Sequence, residues 1–473
     1  MLFNSLSFAI FLPIVFTLYW LLPHKYRWML ILISSYYFYM SWNVKYVILI
    51  LFTTVISYTA AILIEKSDNE KSKKMILAVA AISCLGVLFF FKYFNFVSSS
   101  VSDFLQLFAI KMNPITLKIM LPVGISFYTF QTLSYVIDVY KGAVVAEKHF
   151  GYYAAFISFF PQLVAGPIER TSNLLPQIKA KHEFDYDKAS YGLKLMAWGF
   201  FKKLAIADVI SRYVDMVYAN IDIATGFDLF IGIFFFTIQI YCDFSGYSDI
   251  AIGTAKLLDI DLMRNFNSPY FSTSIKEFWS RWHISLSTWF RDYVYIPLGG
   301  NKCSRSRRNF NLLVTFLVSG LWHGANWTYV VWGGIHGLGQ ILEKSFIKKE
   351  KDCRIVKVLS WLIVFAFCNL AWVFFRAGTI EQALHYMHRF LISFSNPLSF
   401  RHTNIGLGYK QLRKILMSIA ILGIFDFMSI KKDVIKIISK RPVIIRWIIY
   451  VILLYYIIIE MPLGTSSFIY FQF

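Results

Sequence analysis

Apolar residues gather in runs of membrane length from one end of the chain to the other, and polar residues collect in short gaps between them. Clear runs cover residues 6–22, 28–42, 46–64, 76–97, 119–139, 229–241, 311–321, 327–342, 358–375, 415–427 and 447–459. Two more, 150–164 and 193–210, are interrupted by Pro, Gly or Lys. The pattern predicts an all-α, polytopic membrane protein with roughly eleven spans of ~20 residues, plus one or two re-entrant or interfacial helices. Several runs are shorter than a span, which predicts tilted or half-way helices, or a locally thin membrane. Residues 6–22 lack a basic leader and a small-residue cleavage site, so they read as a true span rather than a signal peptide. The longest polar stretches are residues 169–188 and 395–413, so no soluble domain is expected. Residues 1–473 read as one membrane domain, with glycines, prolines and buried polar residues concentrated at about 123–339. Chemistry is expected in that middle.

Composition agrees. Of 473 residues, 57% are hydrophobic and 19% aromatic, too apolar for a soluble protein. The net charge of +20 raises the question of a nucleic-acid partner, but the basic residues lie in loops between apolar runs. They form four clusters: Lys66/Lys71/Lys73/Lys74, Lys302/Arg305/Arg307/Arg308, Lys344/Lys348/Lys349/Lys351/Arg354/Lys357 and Lys431/Lys432/Lys436/Lys440/Arg441. That is the positive-inside pattern, and it argues against nucleic acid. Placing loop 65–74 in the cytoplasm keeps the other three clusters there and puts both termini outside. The five cysteines (Cys84, Cys242, Cys303, Cys353, Cys368) are scattered, with no CxxC and no Cys/His ligand spacing. Neither a disulfide framework nor a metal site is expected.

Two histidines sit in tryptophan-rich apolar segments, where an ionisable side chain is expensive and is kept mainly for a task. Imidazole takes and returns protons near neutral pH. If the helix carrying His323 starts near Phe310, His323 follows after about 13 residues, or ~20 Å, deep in the membrane. Gly320 and Gly324 permit close approach of a backbone or ligand. Asn326, at i+3, would share its helical face and orient a ring nitrogen. The competing reading is a histidine that hydrogen-bonds a neighbouring helix as structural glue. His283, with Trp279 at i−4 and Leu286 at i+3, is either functional or part of an interfacial tryptophan belt. Glu277 and Arg281 are spaced to pair. His336 is read as structural. His385, His388 and His402 are expected to be solvated, and His24, His149 and His182 lie in loops.

Residues 239–249 (QIYCDFSGYSD) form a polar patch directly after an apolar run. Asp243 there needs a partner: it lines a substrate channel, orients a histidine, or pairs with a basic residue of a neighbouring helix. Lys202 and Lys203, inside an apolar segment, either snorkel to the cytoplasmic surface or meet anionic phosphates. Residues 160–170, with two prolines and a glycine, predict a re-entrant turn. No P-loop, GxSxG or GxGxxG is placed where it could act.

Together, residues 277–300 (EFWSRWHISLSTWFRDYVYIPLGG), 320–327 (GLWHGANW), 161–168 (PQLVAGPI), 241–252 (YCDFSGYSDIAI) and 468–473 (FIYFQF) resemble the membrane-bound O-acyltransferase (MBOAT) family across essentially the whole chain. The branch they most resemble is that of bacterial alginate O-acetyltransferases, with peptidoglycan O-acetyltransferases and teichoic acid D-alanyl transferases nearby. The resemblance implies a ring of helices with a central funnel, the family's signature histidine at His323 and its second histidine at His283. Trp279, Trp282 and Trp322 belong to the same two motifs. It implies acetyl-CoA as a cytoplasmic donor, no metal, and an extracytoplasmic polysaccharide as final acceptor. A periplasmic partner of the SGNH acetyltransferase type is also implied, in the bacterial cytoplasmic (inner) membrane. The basic groups Arg281, Arg305, Arg307 and Arg308, with Lys202 and Lys203, suit an anionic donor. Two rival readings keep the histidines: D-alanyl transfer from a carrier-protein thioester, and a transporter or flippase using them as a proton relay.

Overall fold

The computed structural model describes residues 1–164, 166–346, 353–461 and 468. Ala165 of the 161–168 motif, Lys348, Lys349 and Lys351 of the third basic cluster, and residues 469–473 of the C-terminal motif lie outside the described residues. Every regular element among the described residues is helical. The chain forms two compact units, one of Met1–Leu193 with Ile250–Met263, the other of Lys194–Asp249 with Arg264–Phe473. Each draws on the chemistry-rich middle, 123–339.

Among the described residues five helices are long and apolar enough to cross a membrane: Val44–Lys66, Glu70–Gln106, Gly226–Leu257, Arg354–Arg376 and Val443–Glu460. The other expected runs form elements that miss that standard for local reasons. Leu6–Leu21 and Ile125–Tyr140 have 16 residues each, and His24–Met40 has 17. The run expected from residue 119 begins its helix only at Ile125, because Pro122 removes a donor and Gly124 takes a left-handed φ of 75°. A Cβ on Gly124 would lie 2.6 Å from the Leu163 carbonyl oxygen, so the chain there passes close to the buried turn after the Phe150–Ser158 helix. That turn is where two prolines predicted a break. Gln162 donates from Nε2 to the Phe156 carbonyl at 3.0 Å and to Gln131 Oε1 at 3.2 Å, satisfying buried polar groups at the turn. Within Val47–Lys66, the buried hydroxyls of Thr54 and Ser57 donate back to Ile50 and Thr53 carbonyls at 2.6 Å each. Polar side chains are thereby tolerated in an apolar helix.

In the second unit the polar patch does not follow its apolar run as a separate element. It is the continuation of one 32-residue helix, Gly226–Leu257. Lys202 and Lys203 lie inside a helix, as expected. The helix runs on through a widened π turn, Phe201–Ala207, into Asp208–Ala219. Ser304 caps the next important helix by accepting from Arg307 N at 3.4 Å, so that helix starts at Arg305 rather than near Phe310, and ends at His323. It packs against Trp327–Phe346 as a tight helical hairpin. A Cβ on Gly320 would sit 2.2 Å from the Tyr329 carbonyl oxygen, and one on Gly333 2.2 Å from that of Phe316. Small residues at both places let the two backbones touch.

Candidate active site

His323 is the last residue of its helix, because Gly324 turns fully extended (φ −163°, ψ 149°) and stops it. A Cβ on Gly324 would collide with the Tyr329 ring at 2.1 Å. The imidazole is buried, with ring centroids of Trp322 at 5.1 Å, Trp332 at 5.2 Å and Phe375 at 5.4 Å. The His283 ring lies 6.3 Å away. Forty positions of sequence are thus closed to one site within a single unit.

His283 reaches that place through a break. Helix Ile275–Arg281 ends as Trp282 turns extended, and helix Ile284–Phe290 begins just after His283. Between them His283 adopts φ 42°, ψ 54°, the left-handed region, which a non-glycine residue occupies at a cost on the order of 1–3 kcal/mol. The expectation of one helical face carrying Trp279, His283 and Leu286 is therefore corrected: the helix does not run through His283. The first helix is fixed at its start by Ser274, whose hydroxyl accepts from Glu277 N at 3.0 Å. Glu343 adds a second fixation, accepting from Ile275 N at 2.7 Å. The His283 ring is fully buried, with Phe244 edge-on at 4.6 Å and Trp322 at 6.0 Å.

Asn326 also moves from its expected role. Since the helix stops at His323, i+3 spacing no longer puts the two side chains on one face. Asn326 donates from Nδ2 to the Gly378 carbonyl at 2.8 Å and accepts from Thr328 N at 3.0 Å, so it shapes the start of the next helix. His336 accepts at Nδ1 from Trp279 Nε1 at 3.2 Å and sits among Phe278, Trp332 and Phe367. That hydrogen bond links two helices, the structural role read for it. Trp282 lies behind, 5.0 Å from Trp372, which in turn stacks on Trp332 at 5.3 Å.

The charged residues are arranged differently from a set of free cations. Lys203 is held by Asp243 and by Asp208 at 2.8 Å, all three buried. Lys202 meets Asp249 at 2.6 Å and the Ser245 hydroxyl at 2.9 Å. Neither lysine snorkels to a surface, and the carboxylate of Asp243 pairs with Lys203. Arg281 pairs with Glu277 at 2.6 Å, as its spacing predicted. Arg305 and Arg307 are exposed at the head of the His323 helix, with Arg307 5.4 Å from the Phe310 ring. Trp332, Trp372, Phe375 and Phe244 wall the site and were not singled out by sequence. No signal separates such rings from ordinary core aromatics until the fold brings them to an imidazole. Among the described residues no group of three or more His, Cys, Asp or Glu could hold a metal ion.

A pair of buried imidazoles in a helical membrane protein suits proton transfer during group transfer. The chain belongs to the MBOAT, membrane-bound O-acyltransferase family, whose pattern matches residues 146–378, and it is a multi-pass membrane O-acyltransferase. It is similar to the probable alginate O-acetylase AlgI of Azotobacter vinelandii, 38% identical over 91% of this chain and 86% of that one. The Pseudomonas aeruginosa protein of the same name is 39% identical over 90% of this chain and 81% of that one. The peptidoglycan O-acetyltransferase of Helicobacter pylori is 36% identical over 81% of this chain and 78% of that one.

Proposed function

We propose that this enzyme takes an acetyl group from acetyl-CoA on the cytoplasmic side and delivers it across the membrane for O-acetylation of an extracytoplasmic polysaccharide, as the names of its alginate and peptidoglycan relatives suggest. The observation that carries the reading is the convergence of His283 and His323, ring centroids 6.3 Å apart, from motifs forty residues distant. The acceptor is a hydroxyl, either of the glycan or of a serine on an SGNH-type acetyltransferase partner. His323 removes its proton as the oxygen attacks the thioester carbonyl. The carbon–sulfur bond breaks, and the proton passes from the imidazole to the departing thiolate, giving free CoA. His283 positions the donor or shares the proton. Such general-base assistance is typically worth ~10²–10⁴ in rate.

The exposed Arg305 and Arg307, on a side assigned to the cytoplasm by the positive-inside pattern, concentrate the anionic donor. The same pattern supports an orientation with both termini outside, and the resemblance to bacterial O-acetyltransferases supports the inner membrane as its place. Moving only the acetyl unit avoids carrying a large anion through the bilayer. The test uses purified protein in proteoliposomes with acetyl-labelled CoA thioester and an acceptor on the opposite side. Label should become covalently attached to the acceptor, and His323→Ala should stop it in a protein that still inserts and purifies. Transfer only from a D-alanyl carrier thioester, or movement of substrate with no covalent change, would replace this reading by one of its rivals.

A further inference from the structure

We infer that Asn265 is a positioning residue for the reaction: it holds the left-handed joint that presents His283 to His323. The inference rests on the catalytic reading above for its consequence, and on geometry for its substance. Segment 265–267 runs beside the joint and brackets it with two backbone hydrogen bonds. Asn267 N donates to the Arg281 carbonyl at 3.0 Å, and Ile284 N donates to the Asn265 carbonyl at 2.9 Å. Trp282 and His283 are the two residues enclosed.

The Asn265 side chain adds what a backbone ladder cannot. Its Oδ1 accepts from the Ser285 hydroxyl at 2.6 Å, two residues past His283. Its Nδ2 donates to the Ser248 hydroxyl at 3.1 Å, on the long helix that also carries Phe244. Phe244 is the ring set edge-on against the His283 imidazole at 4.6 Å. One amide therefore ties the segment after His283 to the helix that walls His283. Asn265, Ser248 and Ser285 are all essentially inaccessible, so water does not readily replace these bonds. Histidine tolerates φ 42° better than most side chains, yet a non-glycine residue there is uncommon and persists where the surrounding structure holds it. Asn265 holds the chain just past the joint through both its backbone and its side chain.

The test compares wild type, Asn265→Ala and the milder Ser285→Ala, each full-length and reconstituted in lipid with ¹⁵N-labelled histidine. Imidazole resonances are assigned by their loss in His283→Ala and His323→Ala. Asn265→Ala should displace or broaden the His283 signals while leaving those of the distant, exposed His385 in place. It should lower kcat/KM for acetyl-CoA by about 10- to 100-fold, as a small misplacement of a reacting group can. Ser285→Ala should move the same signals in the same sense, and it carries the test if Asn265→Ala does not fold. Unmoved His283 signals in a folded variant overturn the inference. If wild type transfers no acetyl, the catalytic reading fails by itself, while the His283 signals still decide whether Asn265 holds the joint.

Discussion

Gly320 and Tyr329 meet backbone to backbone at the tight end of the hairpin that delivers His323, leaving 2.2 Å between the Tyr329 carbonyl oxygen and any Cβ added to Gly320. A methyl group there must push apart two helices over their closest approach. Gly320→Ala should therefore destabilise the protein by about 1–3 kcal/mol, the usual penalty of overpacking, and lower acetyl transfer by displacing His323. Gly334 lies in the partner helix, yet its added Cβ would make only a 3.4 Å contact with Leu317. Gly334→Ala should be close to neutral. Thermal unfolding of both variants in the same detergent checks the contrast. Equal effects at the two glycines would show that close approach is not what matters.

The three buried histidines of the second unit should separate by role. His323→Ala should remove ~10²–10⁴ of the transfer rate per folded molecule. His336 instead accepts a hydrogen bond from Trp279 and contacts rings on several sides. His336→Ala should lose stability through a cavity and an orphaned indole N–H, by about 1–3 kcal/mol. The folded fraction of that variant should keep transfer within about tenfold of wild type. Activity per folded molecule, measured against unfolding curves, distinguishes the two. A folded His336→Ala variant as inactive as His323→Ala would place His336 in the chemistry.

Much of this was legible in sequence, and the misses have physical causes. Apolar runs marked most helices, because membrane helices must hide their backbone and fill their surface with apolar groups. The two motif histidines stood out because an imidazole among tryptophans is costly. The break at His283 did not, since residues 277–290 contain no Gly or Pro. Its left-handed turn is imposed by segment 265–267, a tertiary effect. At Asn326 the signal was present but read through: Gly324 is a stop residue, and counting i+3 across it assumed a helix that had ended. Of the partners of Lys202 and Lys203, Asp208 is five residues along the same helix, while Asp243, Ser245 and Asp249 lie some forty residues away on another. Asp243 was read as needing a partner, a basic residue of a neighbouring helix among the choices, but no local pattern says which, and the fold supplied three carboxylates and one hydroxyl around the two lysines.

Acid sensitivity should arise at the connection after the long helix. Burial pushes the Asp259 carboxyl up, but hydrogen bonds and charge from Lys188 and His182 outweigh it and hold the group below its ordinary value. A carboxyl whose folded-state value is lowered stabilises the fold above its unfolded value, near pH ~4, and that contribution disappears as pH falls further. Asp259→Asn should therefore reduce stability at neutral pH and flatten its decline below pH ~4. Unfolding midpoints over a pH series test this. A variant curve parallel to wild type across the whole range would remove Asp259 from the acid response.

Lys203 gives the clearest separation between a donor-binding cation and a buried structural one. Its ammonium lies within reach of Asp243 and Asp208, and all three side chains are almost wholly inaccessible. Lys203→Met keeps the volume of the aliphatic stem but leaves two carboxylates facing each other without their shared cation. Breaking a buried pair from one side typically costs about 3–5 kcal/mol. A large fall in yield and unfolding temperature is expected. Adding Asp243→Asn to Lys203→Met should recover part of that loss, because one uncompensated charge is then removed. Since the ammonium is occupied by carboxylates, KM for acetyl-CoA should hardly change in the folded fraction of either variant. Arg305→Ala and Arg307→Ala should do the reverse, raising KM at low salt with stability intact, because exposed cations act by steering an anion and are screened as ionic strength rises. A normal unfolding temperature for Lys203→Met together with a raised KM would assign the lysine to the donor after all.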